Sequence, residues 1–157
     1  MGTSYEGVLV VAGVGPVRTA LAEAGVRAIV APVGVGRTAI LPREGAHNVA
    51  DVDELGCHLS GTCGFDVLVH SVYDSDLLSL YVYRGGECVH EYHSDTAFLG
   101  TAFEDDDGEM KLLSEGVLHD LDDPALPSGP RGAEPDVFAP FGTGDVDLDR
   151  LGGLLRG

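Results

Sequence analysis

The sequence predicts an α+β fold: a two-layer sandwich with two helices on one face of a mainly antiparallel sheet. Three observations predict it. Apolar segments follow the order β-α-β-β-α-β-β-β, whose first six elements match the ferredoxin-like βαββαβ order. A glycine pair, Gly85-Gly86, sits between two strand-like segments as a tight hairpin turn. After about Leu99 the composition turns acidic and proline-rich, which divides the chain into a core, residues 1–99, and an extension, residues 100–157, expected to dock on that core.

Residues 7–12, Gly-Val-Leu-Val-Val-Ala, form an unbroken apolar run with β-branched members, as a buried strand requires. Pro16 suits the first turn of a helix, whose apolar face is Val17, Ala20, Leu21 and Ala24, and Gly25 ends it. Residues 26–33 and 37–42 read as strands around a Gly34-Val35-Gly36 turn. Asn48 is the expected cap of a second helix, with Asp51 in its first turn. Its stripe runs Val49, Val52, Leu55 or Gly56, and Leu59, and Gly61 and Gly64 mark its end. Strands follow at 66–73, 77–83 and 87–93, the first two joined by the turn Asp74-Ser75-Asp76.

In the extension, residues 104–123 hold nine acids against Lys111 alone, and five of the eight prolines fall between 124 and 140. A loop-rich segment is expected there. It ends in a short helix capped by Asp147, with Leu148, Leu151 and Leu155 on the face that docks.

With 157 residues and 44% hydrophobic content, the chain can bury a core without disulfides or a structural metal. The net charge of −17 argues against nucleic acid or an anionic membrane as partner, since both need basic patches. No apolar run is long enough to span a bilayer, and residues 1–6 do not resemble a secretory signal. Three cysteines, Cys57, Cys63 and Cys88, read as free thiols. A cytoplasmic protein is expected. Arginine in place of lysine, with abundant Gly, Ala and Val, is the usage of a GC-rich bacterial genome.

A regular two-residue hairpin at Gly85-Gly86 would pair Tyr83 with Cys88, Val82 with Val89, Tyr81 with His90, Leu80 with Glu91 and Ser79 with Tyr92. Tyr81, Tyr83, Cys88, His90 and Tyr92 would then share the face away from the helices. Such a surface suits a protein partner, a homodimer or a ligand, because tyrosine offers a large contact area and retains a hydroxyl. The competing reading has the extension covering it.

Catalytic and metal motifs fail on spacing. Gly13-Val14-Gly15 follows a strand and precedes a helix, but the third glycine of a dinucleotide fingerprint is Arg18 here. His90 and His93, three apart on a strand, point to opposite faces. Cys88 with His90 could form a thiol–imidazole pair, but nothing supplies an oxyanion hole. A zinc site combining Cys88 and His90 with Cys57, His58 and Cys63 lacks the CxxC spacing. Asp105, Asp107 and Gly108 resemble part of a calcium loop whose outer acids are replaced by Phe103 and Ser114. Asp74 and Asp76 suit a turn, and His70, within an apolar strand, suits the core.

The expected function is therefore a non-catalytic interaction or regulatory protein of an immunity or antitoxin-like kind. It would bind a protein partner, basic by charge complementarity, through its acidic surface and the Tyr/His face, and no cofactor is expected. The alternative is a small-molecule- or metal-binding domain, or an enzyme, built on that face.

Overall fold

A computed structural model describes residues 2–43, 51–114 and 116–157. The first six strands are β1 (Tyr5–Val10), β2 (Ala28–Gly34), β3 (Arg37–Pro42), β4 (Val67–Tyr73), β5 (Leu77–Arg84) and β6 (Glu87–His93). They form one sheet in the order β2-β3-β1-β4-β5-β6, every neighbouring pair antiparallel. Helix α1 (Val14–Glu23) joins β1 to β2, and α2 (Val52–Cys63) precedes β4.

Both helices pack on one face. Val17, Ala20 and Leu21 of α1 and Val52, Leu55 and Leu59 of α2 are buried against Val8, Val10, Ile40, Val67, Val69 and Tyr83. Each buried branched side chain contributes roughly 1.5–3 kcal/mol. The cap of α2 is Asp51, whose carboxylate accepts from Glu54 N–H at 2.9 Å. Asn48 and Val49, assigned above to this helix, lie outside the described residues. Gly64 closes α2 in the left-handed conformation, φ 68°. Gly61 serves a different purpose: a Cβ there would come within 3.0 Å of the Gly86 backbone, so glycine at both positions lets α2 lie against the β5–β6 turn.

The extension differs from expectation in two ways. It holds a second sheet, β7 (Thr101–Glu104), β8 (Met110–Ser114) and β9 (Val117–Asp120), in that order and antiparallel. The Asp105–Gly108 segment is its first turn. Asp105 Oδ1 accepts from the N–H groups of Asp107 and Glu109, at 3.0 and 2.9 Å. The rest of the extension adds a third layer to the expected two. Helix α3 (Pro135–Phe138), the turn at Ala139–Phe141 and helix α4 (Leu148–Arg156) cover part of the sheet's second face. Phe138, Phe141 and Leu155 are buried with Val82 and Tyr92, and Leu9, Val11, Leu68, Leu78, Leu80 and Leu151 pack around them. Asp147 caps α4, as its position suggested, accepting from Arg150 N–H at 3.0 Å.

The chain reaches this layer by crossing the β6 edge, where His93 and Arg131 exchange backbone hydrogen bonds at 3.0 Å. Gly132 (φ 74°) makes the crossing possible, since a Cβ there would lie 2.0 Å from the Glu91 carbonyl oxygen. Among the described residues, no helix is long and apolar enough to cross a membrane.

Candidate functional site

The five residues singled out on β5 and β6 do not share a face. The tight turn forms, with Gly85 and Gly86 at φ 60° and 87°, and Tyr83 pairs with Cys88. One residue later the ladder shifts. Val82 pairs with His90, Tyr81 with Glu91, Leu80 with Tyr92 and Ser79 with His93, in place of the partners expected from a regular hairpin. Val89, half exposed at 50%, is the extra residue of a β-bulge. Because side chains alternate, one extra residue inverts everything beyond it. Tyr81, Tyr83 and Cys88 lie on the helix-covered face, not on the face away from the helices expected for them, because β5 turns its Tyr81/Tyr83 side to α2 and its Leu80/Val82 side to the tail, while His90 and Tyr92 turn to the face covered by the tail.

On the tail face, both groups serve docking. Tyr92 is buried and its hydroxyl donates to the Leu155 carbonyl of α4 at 2.9 Å. His90 donates from Nε2 to the Gly132 carbonyl at 2.8 Å, since a carbonyl can only accept. The Phe138 ring meets both edge-on, with centroids 5.4 Å from His90 and 6.2 Å from Tyr92.

On the helix face, the Tyr83 hydroxyl donates to Asp53 Oδ1 of α2 at 2.7 Å. Burial first, then the Asp53 carboxylate, push the Tyr83 phenol far above its ordinary range. Cys88 is exposed, yet its thiol is also pushed up, mainly by desolvation and further by nearby acids. A thiol raised in this way is a poor nucleophile. With His90 on the opposite face, the thiol–imidazole pair considered above does not form.

Sequence reasoning missed a constellation that the bulge creates. His93, 4% exposed, lies beside Ser79, 5% exposed, with Nδ1 and Oγ 2.9 Å apart. The Tyr81 ring meets the His93 imidazole edge-on at 5.7 Å, and Glu91 Oε2 lies 3.8 Å from His93 Nε2. Ser79 also bonds the Tyr81 hydroxyl. Serine, histidine and glutamate stand in triad-like sequence, but the serine is closed to solvent. The arrangement therefore joins β5 to β6 as a buried polar network. No local signal in the sequence could have found it, because Ser79 and His93 meet only in the bulged register.

This network gives stability a pH dependence with a definite sign. Burial, then the Arg131 charge, hold the His93 pKa below its ordinary value of 6.5, against an opposing pull from Glu91. On acidification the unfolded chain takes up the proton first, so stability contributed by neutral His93 is lost as pH falls through about 6.5. We expect the wild type to lose more stability than His93→Gln between about pH 7.5 and about pH 5.5, measured by urea denaturation. His70 is likewise lowered by burial, but it is present in both proteins and cancels in the difference.

The other candidates have structural employment. Asp74 accepts from Gly2 N–H at 2.8 Å and its own N–H bonds Ser4 Oγ at 2.9 Å, so the turn ties down the N-terminal strand. Cys57 and Cys63 are half-buried against the main core. Among the described residues, no three His, Cys, Asp or Glu side chains gather where they could hold a metal ion. A cleft of about 330 Å³ lies between the end of α1 and the start of α2, with Arg43, Asp51, Glu54 and His58 on its walls.

The small acidic sheet offers a different kind of surface. Register places Thr101, Phe103, Lys111, Leu113, Leu118 and Asp120 on one face. Phe103, Leu113 and Leu118 are 39%, 44% and 53% exposed. Lys111 is drawn to Asp120, Glu109 and Asp105, and its hydrogen bonds to Asp120 and Glu109 raise its pKa. The lone cation of the segment is thus neutralised internally, and the surrounding acids set the charge of this surface.

Comparison with protein-family models, with curated proteins and with solved structures returns no match.

Proposed function

We propose that this chain is a non-catalytic interaction protein whose small acidic sheet binds a basic protein partner. The observation that carries this reading is the exposed row Phe103, Leu113 and Leu118 within a segment of nine acids and one lysine. An apolar centre with a charged rim is the anatomy of a protein interface, and one sign of charge selects the opposite sign in the partner. The fates of Tyr92, His90, Ser79 and His93 favour it too, since all four are engaged in holding the fold together. An immunity or antitoxin-like role fits such a binder. Three free thiols support a cytosolic setting. The strand order β2-β3-β1-β4, antiparallel throughout and with both connecting helices on one face, supports a ferredoxin-like description of residues 5–73.

The test is affinity capture from the native host with wild type and with Phe103→Ser/Leu118→Ser. Both positions are exposed, so the variant should fold, which circular dichroism checks. The expected result is a basic protein held by the wild type, released by added salt and absent from the variant. A partner retained equally by both would overturn the reading.

The small-molecule alternative is favoured by one observation, the cleft between α1 and α2. It predicts ligand-dependent thermal stabilisation that His58→Ala removes.

A further inference from the structure

The charge of this chain is segregated along its length. Residues 1–43 hold four arginines against two acids, a net of +2, so the remaining residues carry −19. The positive part of the chain builds the β2–β3–β1 corner of the main sheet; the tail covers the second face of that corner at Leu9 and at Gly34, where Thr143 abuts, and leaves its far end, around Ile29, Leu41 and Tyr5, open. Ile29 and Leu41 pair across β2 and β3 and are 69% and 50% exposed. Leu41 leans over Gly7 of β1, where a Cβ would meet its Cδ2 at 3.3 Å. Tyr5, 53% exposed and edge-on to His70, completes the patch. At the corner itself, the Arg43 N–H bonds the Arg27 carbonyl at 2.8 Å, which brings two exposed arginines to the rim, Arg43 beside the cleft it lines with Asp51 and Glu54. Among the described residues, neither arginine forms an ion pair.

This surface is the complement of the acidic sheet: an apolar centre with a cationic rim against an apolar centre with an anionic rim. We infer that the acidic sheet of one copy docks on the β2–β3–β1 corner of a second copy. The inference rests on the reading of the acidic sheet as an interface and names one of its partners. Electrostatics selects which surfaces meet. A patch set against its own copy would bring like charge to like, at a net charge of −17 per copy. Sheet against corner sets the −8 segment against the positive corner, whether reciprocally in a two-fold pair or head-to-tail in a contact that closes into a ring or propagates.

The experiment is sedimentation velocity on the full chain over a range of concentrations, at low salt and at 1 M salt, where the screening length falls to about 3 Å. Two variants separate the surfaces: Phe103→Ser/Leu118→Ser in the acidic sheet and Arg27→Glu/Arg43→Glu at the corner. All four positions are exposed. The wild type is expected to gain mass with concentration at low salt and to return to monomer at high salt. Each variant alone should associate at least about tenfold more weakly. An equimolar mixture should recover a dimer and nothing larger, because it retains one intact sheet and one intact corner. A wild type that stays monomeric, or a mixture that fails to pair, overturns the inference. A monomeric wild type that still captures a basic partner through Phe103 and Leu118 overturns self-docking while leaving the acidic-sheet interface standing.

Discussion

Phe138→Ala is expected to destabilise the protein by about 3–5 kcal/mol, the cost of emptying a large aromatic site in a closed core. The tail's buried anchors are Phe138, Phe141 and Leu155, and Phe138 is the ring that touches both His90 and Tyr92. Its removal leaves the Tyr92 hydroxyl and the His90 Nε2 proton with partners on a loosened segment, and buried donors without firm acceptors add to the cost. Phe103→Ala is the control. It changes the same residue type on the exposed acidic sheet and should cost less than about 1 kcal/mol. Urea denaturation of the two variants against wild type measures both. Equal losses would mean that the tail does not form the second core.

The second large effect comes from deleting single residues of β6. Removal of Val89 takes out the bulge residue and leaves every observed pair intact, from Tyr83–Cys88 to Ser79–His93. The strand then alternates regularly with the same side chains on the same faces. The cost should stay below about 2 kcal/mol, from altered twist at the hairpin. Removal of Glu91, two residues on, does the opposite. Tyr92 would move to the helix face opposite Tyr81, and His93 to the tail face opposite Leu80. The Tyr92–Leu155 bond, the Phe138 contact and the Ser79–His93 pair would all be lost. That loss should exceed about 4 kcal/mol or prevent folding. Chemical denaturation of the two deletions therefore separates a bulged hairpin from a regular one, and the tolerated Val89 deletion is informative even if the other protein cannot be made.

Much of the core was legible because it depends on local pattern. The i, i+3, i+4 stripe at Val17, Ala20 and Leu21 is buried where periodicity placed it, and the Gly85-Gly86 turn forms. The hairpin register was not legible. Val89 is an ordinary strand residue, and nothing near it marks a bulge. The bulged register puts His90 and Tyr92 on the side of the sheet where Phe138, far along the chain, packs against both, a long-range contact that no local pattern announces. The small sheet was hidden for another reason. Its turns and rims are so acidic that the alternation in Thr101–Glu104, Met110–Ser114 and Val117–Asp120 was masked by charge. Asp105 and Gly108 resembled metal-loop residues when they were hairpin-turn residues. The fold divides the Tyr/His face between two cores and displays the acidic sheet.

Cross-strand nuclear Overhauser effects between β5 and β6 test that division most directly, because they read the register without any substitution. The bulged hairpin predicts backbone contacts joining Leu80 to Tyr92 and Val82 to His90. Contacts joining Leu80 to Glu91 and Val82 to Val89 would restore tyrosines, imidazole and thiol to one side of the sheet and contradict the account.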